Sequence, residues 1–190
     1  MQKKLPALGC CGLDCGLCPR YFTKGSSKCP GCCGDDFKNK HPSCSFITCC
    51  VKNRNLVVCA ECIDFPCSKF ERETGETDSF ITHRMVIYNQ NFIRKHGIAK
   101  FIEQQNKRIK VLEDMLEYYD DGNSKSFLCL AATLLPLETL NKSLRKAEHE
   151  VNERLISKDD LRSKAKIIKV ILNQSASEDN IELKLRKAKK

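Results

Sequence analysis

A dense run of cysteines is the feature that most limits how this chain folds. Thirteen of its fourteen cysteines lie between Cys10 and Cys67. Three Cys-x-x-Cys pairs stand within the run, at Cys15/Cys18, Cys29/Cys32 and Cys59/Cys62. A turn with this spacing directs two thiolates at one ion, and repeated pairs over a short segment indicate metal binding. Because the same segment has few large aliphatic side chains, it buries only a thin core and needs cross-links.

The cross-links are expected to be metal ions rather than disulfides. No apolar stretch typical of a secretory signal precedes Cys10, and no apolar run is long enough to span a bilayer. We therefore expect a cytoplasmic protein with no membrane association. Thiols stay reduced in the cytosol, where dense cysteine favours metal ligation.

Ten of the thirteen clustered cysteines are predicted metal ligands: Cys11, Cys15, Cys18, Cys29, Cys32, Cys44, Cys49, Cys59, Cys62 and Cys67. The other three, Cys10, Cys33 and Cys50, each stand beside a predicted ligand, so they are left open as ligands or bystanders. Ten thiolates exceed the eight that two closed all-cysteine zinc sites need, and two zinc ions are expected. One predicted grouping places four ligands on the same ion, namely Cys29, Cys32, Cys44 and Cys49.

Two local cysteine patterns indicate different metals. Residues 29–34 read Cys-Pro-Gly-Cys-Cys-Gly, a zinc-knuckle sequence in which Pro30 fixes φ and Gly31 supplies permissive dihedrals. By contrast, Cys11, Cys15 and Cys18 have the spacing with which radical S-adenosylmethionine enzymes hold a four-iron cluster, although no alternation of strands and helices follows. A [4Fe-4S] cluster with a distant fourth thiolate such as Cys67 is therefore the alternative cofactor.

Helical periodicity replaces the cysteine pattern after about residue 78. We predict a short strand over 56–58, a short helix from Cys67 to Glu73, and helices over 79–96, 98–119, 124–135, 137–155 and 157–173. Ser157 is the predicted N-cap of the last helix, Cys129 is a predicted core residue, and residues 181–190 are predicted to be a frayed basic end.

The predicted fold is mainly α, with a loop-rich Cys/zinc-knuckle N-terminal module packed on a C-terminal α-helical bundle. The predicted domains are a cysteine-rich metal-binding module at 1–75, a helical domain at 76–156 and a basic helical tail at 157–190.

Several segments together resemble an uncharacterised prokaryotic family, the domain-of-unknown-function 3795 family. They are the sequences at 11–18, 29–32, 59–62, 65–67, 103–105 and 126–132. The resemblance covers roughly residues 9–145 and implies a bacterial or archaeal cytosolic protein with a zinc-binding front and no established reaction. The doubled cysteines at 10, 33 and 50 and the basic tail after about 156 depart from the family pattern.

The leading functional hypothesis is a non-enzymatic zinc-binding protein whose structural sites shape a surface for a protein partner. Every predicted ligand is a thiolate, and zinc sites of that kind are closed to substrate. An iron–sulfur protein in electron transfer or redox sensing is one alternative. A nucleic-acid-binding zinc-knuckle protein is the other, since the net charge of +9 lies at the two ends, mostly in the tail. An enzyme is not expected, because the sequence contains no Gly-rich phosphate loop, nucleophile elbow or histidine–carboxylate metal motif.

Overall fold

The computed structural model describes residues 5–41, 43–73 and 77–187. Within these ranges the chain is 57% helix and contains no strand, which confirms the mainly α class. The helices are α1 (Phe37–Lys40), α2 (Ser68–Glu73), α3 (Val86–His96), α4 (Ile98–Tyr119), α5 (Lys125–Leu134), α6 (Leu137–Glu153) and α7 (Leu161–Glu178). Before α3 the chain is rich in loops, with 3₁₀ turns at Cys15–Leu17 and Cys59–Glu61 and a π-helical stretch at Ile47–Asn53.

Periodicity predicted the middle helices well. The bounds of α4 are those predicted, and α2, α5 and α6 lie within one or two residues of the predictions at each end. Gly97 ends α3 at φ 86°, and its N–H donates to the carbonyl oxygen of Ile93, as expected of a C-terminal cap. Cys129 is buried in α5, as predicted for a core residue.

Two predicted helix starts are wrong because side chains capture backbone N–H groups. The third helix begins at Val86 instead of residue 79, since the His83 N–H donates to Asp78 Oδ1 at 2.9 Å and holds the preceding segment in turns. The last helix begins at Leu161, where Asp160 rather than Ser157 is the N-cap and accepts from the Ser163 N–H at 3.0 Å. That helix also continues five residues beyond the predicted end, to Glu178.

The short strand predicted over 56–58 is not formed. The carboxylate of Glu61 accepts hydrogen bonds from the backbone N–H groups of Val57 and Val58, at 2.8 and 3.2 Å. These donors would otherwise be available to a neighbouring strand. The segment instead leads into the 3₁₀ turn that begins at Cys59.

The chain divides into two compact units. The first contains Met1–Gln105 and Leu185–Lys190, and the second contains Asn106–Lys184. Compactness alone does not define a domain that folds by itself, so the predicted bounds at 75 and 156 stay predictions. In the second unit α6 packs on α5 and α7. The Ser143 and Ser175 hydroxyls lie 3.1 Å apart, and Arg108 Nη1 donates to the carbonyl oxygens of Ala132 and Leu135 near the end of α5.

The basic end of the chain is anchored where fraying was predicted. Arg186 donates from its guanidinium and its backbone N–H to the carboxylate of Asp78, whose side chain is fully buried. In return, the Asp78 N–H donates to the Arg186 carbonyl oxygen at 3.0 Å. The last three residues, 188–190, lie outside the described part of the chain. Among the described helices, none combines the length and the apolar character that crossing a membrane requires.

The Asp78–Arg186 contact makes the stability of the first unit dependent on pH. Burial alone would raise the pKa of Asp78, but hydrogen bonds from Arg186 and from the His83 N–H lower it to about 2, below the ordinary value of 3.8. The contribution is therefore complete above about pH 5 and is lost as the pH falls through 3.8 towards 2.

We expect Asp78→Asn to lower the free energy of unfolding by roughly 1.5–3 kcal/mol at pH 7, the usual worth of hydrogen bonds to a charged group. Urea denaturation between pH 7 and pH 2 measures the free energy of unfolding of both proteins. The difference between them should disappear in the acid range. The exposed Asp159→Asn is the matched control. A difference that is independent of pH would contradict the assignment.

Candidate metal centre

The fourteen cysteines all lie in the described ranges, and none of them forms a disulfide. Those between Cys10 and Cys67 belong to the first compact unit. They take part in its core, where buried cysteines are packed together with Phe46, Phe65, Phe70 and Val86. Most of the thiols line two hollows in the surface of this unit, which we name after one cysteine of each.

The Cys18 hollow is a cavity of about 320 Å³ lined by seven thiols, by apolar side chains and by polar or basic ones that include Arg20, Lys40, His41 and His83. Its thiols are those of Cys10, Cys11, Cys15, Cys18, Cys29, Cys32 and Cys44. The turn at Gly31 holds Cys29 and Cys32 towards this cavity, with φ 79° at the glycine and the Cys32 N–H donating to the Pro6 carbonyl oxygen. Six of the ten predicted ligands therefore meet at one place.

The Cys62 hollow is smaller, about 60 Å³, and is lined by Cys49, Cys50, Cys59, Cys62 and Cys67. The rings of Phe65 and Phe70 pack edge to face at 5.1 Å beside it. Arg54 Nη1 lies 2.9 Å from the sulfur of Cys62, and its Nη2 pairs with Asp64 at 2.6 Å. A guanidinium in this position compensates negative charge on a thiolate.

Backbone N–H groups point at several of the sulfurs. The Cys10 N–H donates to the sulfur of Cys32 at 3.3 Å. Against the effect of burial, backbone hydrogen bonds from Arg20 and Tyr21 lower the pKa of the Cys18 thiol, and one from Leu13 lowers the pKa of the Cys11 thiol. Hydrogen bonds of this kind favour the charged thiolate and are the usual surroundings of a cysteine that ligates a metal.

Burial acts in the opposite direction on the same thiols. It raises the pKa of Cys11 to about 12, against the Leu13 N–H, and it raises the pKa of Cys18 against the N–H groups of Arg20 and Tyr21. The pKa of Cys10 is raised by its hydrogen bond to the thiol of Cys32, and that of Cys59 by its hydrogen bond to the thiol of Cys50. Without a cation these thiols therefore stay protonated at neutral pH.

The donor chemistry fits a soft cation, but the arrangement is not that of a completed site. Across residues 5–41, 43–73 and 77–187, no three side chains of histidine, cysteine, aspartate or glutamate are placed so that they could hold a metal ion. Of the four ligands predicted to share an ion, the structure brings together Cys29, Cys32 and Cys44 at the Cys18 hollow. It places Cys49 at the Cys62 hollow.

A buried polar network fixes the first cysteine loop to α3 and to the start of α4. Asn89 donates from Nδ2 to the Gly12 carbonyl oxygen at 2.8 Å and to both carboxylate oxygens of Asp14 at 3.0 Å. Gln105 Nε2 donates to the same carboxylate at 2.7 Å. Gln90 donates to the Cys10 carbonyl oxygen at 2.9 Å and accepts from the Ala60 N–H at 2.6 Å. The loop that carries Cys11 and Cys15 is therefore held by helical side chains.

The sequence analysis did not identify the residues of this network or the Arg54 guanidinium that lies beside Cys62. A polar side chain on the buried face of a helix is the signal that could have identified Asn89 and Gln90. An aspartate inside the Cys-Gly-Leu-Asp-Cys segment could likewise have identified Asp14. No local sequence pattern predicts the contact between Arg54 and Cys62, because the direction of the Arg54 side chain depends on the π-helical stretch that precedes it.

Gly12 tests how closely the loop packs on α3. Its φ is 96°, and a Cβ there would lie 2.7 Å from the carbonyl oxygen of Val86. We expect Gly12→Ala to cost roughly 2–5 kcal/mol, because left-handed strain adds to a steric overlap. Gly25→Ala is the matched control, since Gly25 has φ 78° and its Cβ would meet no described atom within 4 Å. Denaturant unfolding measures the free energy of unfolding of both variants. An equal loss of stability in the two would contradict the close approach of Gly12 to Val86.

Asn89 tests the polar network itself. We expect Asn89→Ala to destabilise the first unit by about 3 kcal/mol, because the buried carboxylate of Asp14 loses a donor. Cys11 and Cys15 should then react faster with an alkylating reagent, as followed by mass spectrometry of the peptides. The control is the exposed neighbour Asn91→Ala, for which a change within about 0.5 kcal/mol is expected. Unchanged alkylation in Asn89→Ala would show that the network does not hold the loop.

No protein-family model, curated protein or solved structure matches this chain.

Proposed function

We propose that the first unit is a zinc-binding module with structural, cysteine-ligated sites, and that the protein acts by presenting a surface to a protein partner rather than by catalysis. The observation that carries this proposal is the gathering of thiols that form no disulfide, six predicted ligands at one hollow and four at another, within one compact unit. In a reducing compartment such as the cytoplasm these thiols remain available to metal.

The chemistry of the donors supports structural zinc. Structural zinc prefers four ligands in tetrahedral geometry, and sites made only of thiolates are closed to water and substrate. The Cys62 hollow offers one such set, Cys49, Cys59, Cys62 and Cys67, with Arg54 to offset the negative charge. The Cys18 hollow offers a second set, chosen from Cys11, Cys15, Cys18, Cys29, Cys32 and Cys44. Ion binding would draw these side chains closer, as expected where metal binding and folding are coupled.

Exposed apolar side chains support the choice of a protein partner. Ile63, between the ligand Cys62 and Asp64, is 91% exposed, while Phe80 and Tyr88 are 61% and 60% exposed. Exposed apolar and aromatic side chains can serve as anchors in a protein interface. Zinc at the Cys62 hollow would fix the turn that presents Ile63.

We expect the protein isolated under reducing conditions to carry at least two zinc ions per chain, as measured by native mass spectrometry. Structural zinc of this kind contributes an apparent ~10–16 kcal/mol, so a chelator should unfold the cysteine-rich segment. Hydrogen exchange should then lose its protection over residues 5–73 while the amides of α6 and α7 keep theirs.

A pair of substitutions separates a ligand from a bystander. Cys62→Ser should release one zinc ion, whereas Cys129→Ser, in the buried helix α5, should release none. Protein that contains no zinc, and whose exchange pattern is unaltered by chelator, would refute the proposal.

The size of the Cys18 hollow favours one second candidate, an iron–sulfur protein. A cavity of about 320 Å³ with seven thiols is roomier than a single four-coordinate ion needs. Anaerobic purification distinguishes the two, because a brown protein with a broad visible absorption contains iron, whereas the zinc form is colourless. Nucleic acid binding through the basic tail has less support, since Arg186 is already paired with Asp78.

A further inference from the structure

Two of the cysteines without an assigned ligand role, Cys10 and Cys50, are among the most buried residues of the first unit. Their exposed fractions are 1% and 2%. Each stands next to a predicted ligand in the sequence, and neither is required by a model of two separate four-cysteine sites. Cys10 lines the Cys18 hollow and Cys50 lines the Cys62 hollow, so each thiol lies among predicted ligands.

The sulfurs of these two residues connect the hollows. Cys10, Cys32, Cys50 and Cys59 are buried members of one packed cluster, and the Cys10 N–H donates to the sulfur of Cys32 at 3.3 Å. Hydrogen bonds among these thiols raise the pKa of Cys10, through Cys32 and Cys50, and the pKa of Cys59, through Cys50. Cys32 and Cys10 line the Cys18 hollow, and Cys50 and Cys59 line the Cys62 hollow. Four thiols therefore form one continuous chain, in the order Cys32, Cys10, Cys50, Cys59, which runs from one hollow to the other.

Sulfurs in contact have the separation that a shared ion requires. At a metal–sulfur distance of about 2.3 Å, tetrahedral geometry places ligand sulfurs about 3.8 Å apart. A thiolate has several lone pairs and can bind two soft cations at once. A buried thiolate between two cations is also compensated for the cost of leaving water.

We propose that Cys10 and Cys50 are bridging ligands, which join the two hollows into one polynuclear thiolate cluster for soft, closed-shell ions such as Zn²⁺, Cd²⁺ or Cu⁺. This inference rests on the proposed function and extends it from two separate sites to a linked cluster. Such ions prefer thiolate over oxygen donors, which fits a lining rich in sulfur. Two of the three doubled cysteines, Cys10 and Cys50, thereby acquire a role as shared ligands.

Cadmium is the probe that tests the linkage. The reduced full chain is loaded with Cd²⁺ of a spin-active isotope, ions are counted by native mass spectrometry, and cadmium NMR is recorded. A linked cluster should bind more than two ions per chain and show cadmium–cadmium coupling through the bridging sulfurs. In Cys10→Ser/Cys50→Ser the coupling should vanish and the count should fall to two, whereas Cys129→Ser should behave as the natural protein does.

The outcomes separate this inference from the proposed function. Two ions without mutual coupling in the natural protein would overturn the cluster while leaving structural zinc binding in place. Binding of no ion would overturn both. Because coupling is read in the natural protein, the test holds even where the double variant does not fold.

Discussion

Sulfur occupies the place of aliphatic side chains in the core of the first unit. Five of the ten buried residues in its main cluster are cysteines: Cys10, Cys11, Cys32, Cys50 and Cys59. A protonated thiol packs as a small hydrophobic group, whereas a buried thiolate is costly unless a cation lies beside it. This core is therefore compatible with neutral thiols or with bound soft ions. The loops before α3 owe their arrangement to it, since they contain few large aliphatic residues.

Polar side chains fix the thiol-bearing loops where apolar contacts are few. Asp14 is buried between Asn89 and Gln105, and Gln90 binds both the Cys10 carbonyl and the Ala60 N–H. Buried networks of this kind select one arrangement because an unpaired member is costly. The helices α3 and α4 thus supply the rigid frame for the loops that carry the sulfurs.

The two hollows differ in ways that bear on function. The Cys62 hollow is small, walled by phenylalanine rings, and has a guanidinium at one of its thiols. The Cys18 hollow is several times larger and has backbone N–H groups aimed at its sulfurs. Both hollows are lined by thiols, which are donors suited to soft cations, and the exposed Ile63 follows Cys62.

Local patterns in the sequence were sufficient for the helices α4, α5 and α6, the buried Cys129 and the choice of thiols as the chemically distinctive groups. They failed at the start of α3, at the cap of α7, at the strand predicted over 56–58 and at Arg186, because single side chains there compete for backbone donors or reach distant partners. The sequence by itself determined that many thiols would lie together. Only the tertiary structure decided that Cys49 faces a different hollow from Cys29 and that Cys10 and Cys50, which line different hollows, are packed in one buried cluster. Helical periodicity repeats within a few residues, whereas the grouping of sulfurs depends on loop dihedrals and on contacts between residues far apart in the chain.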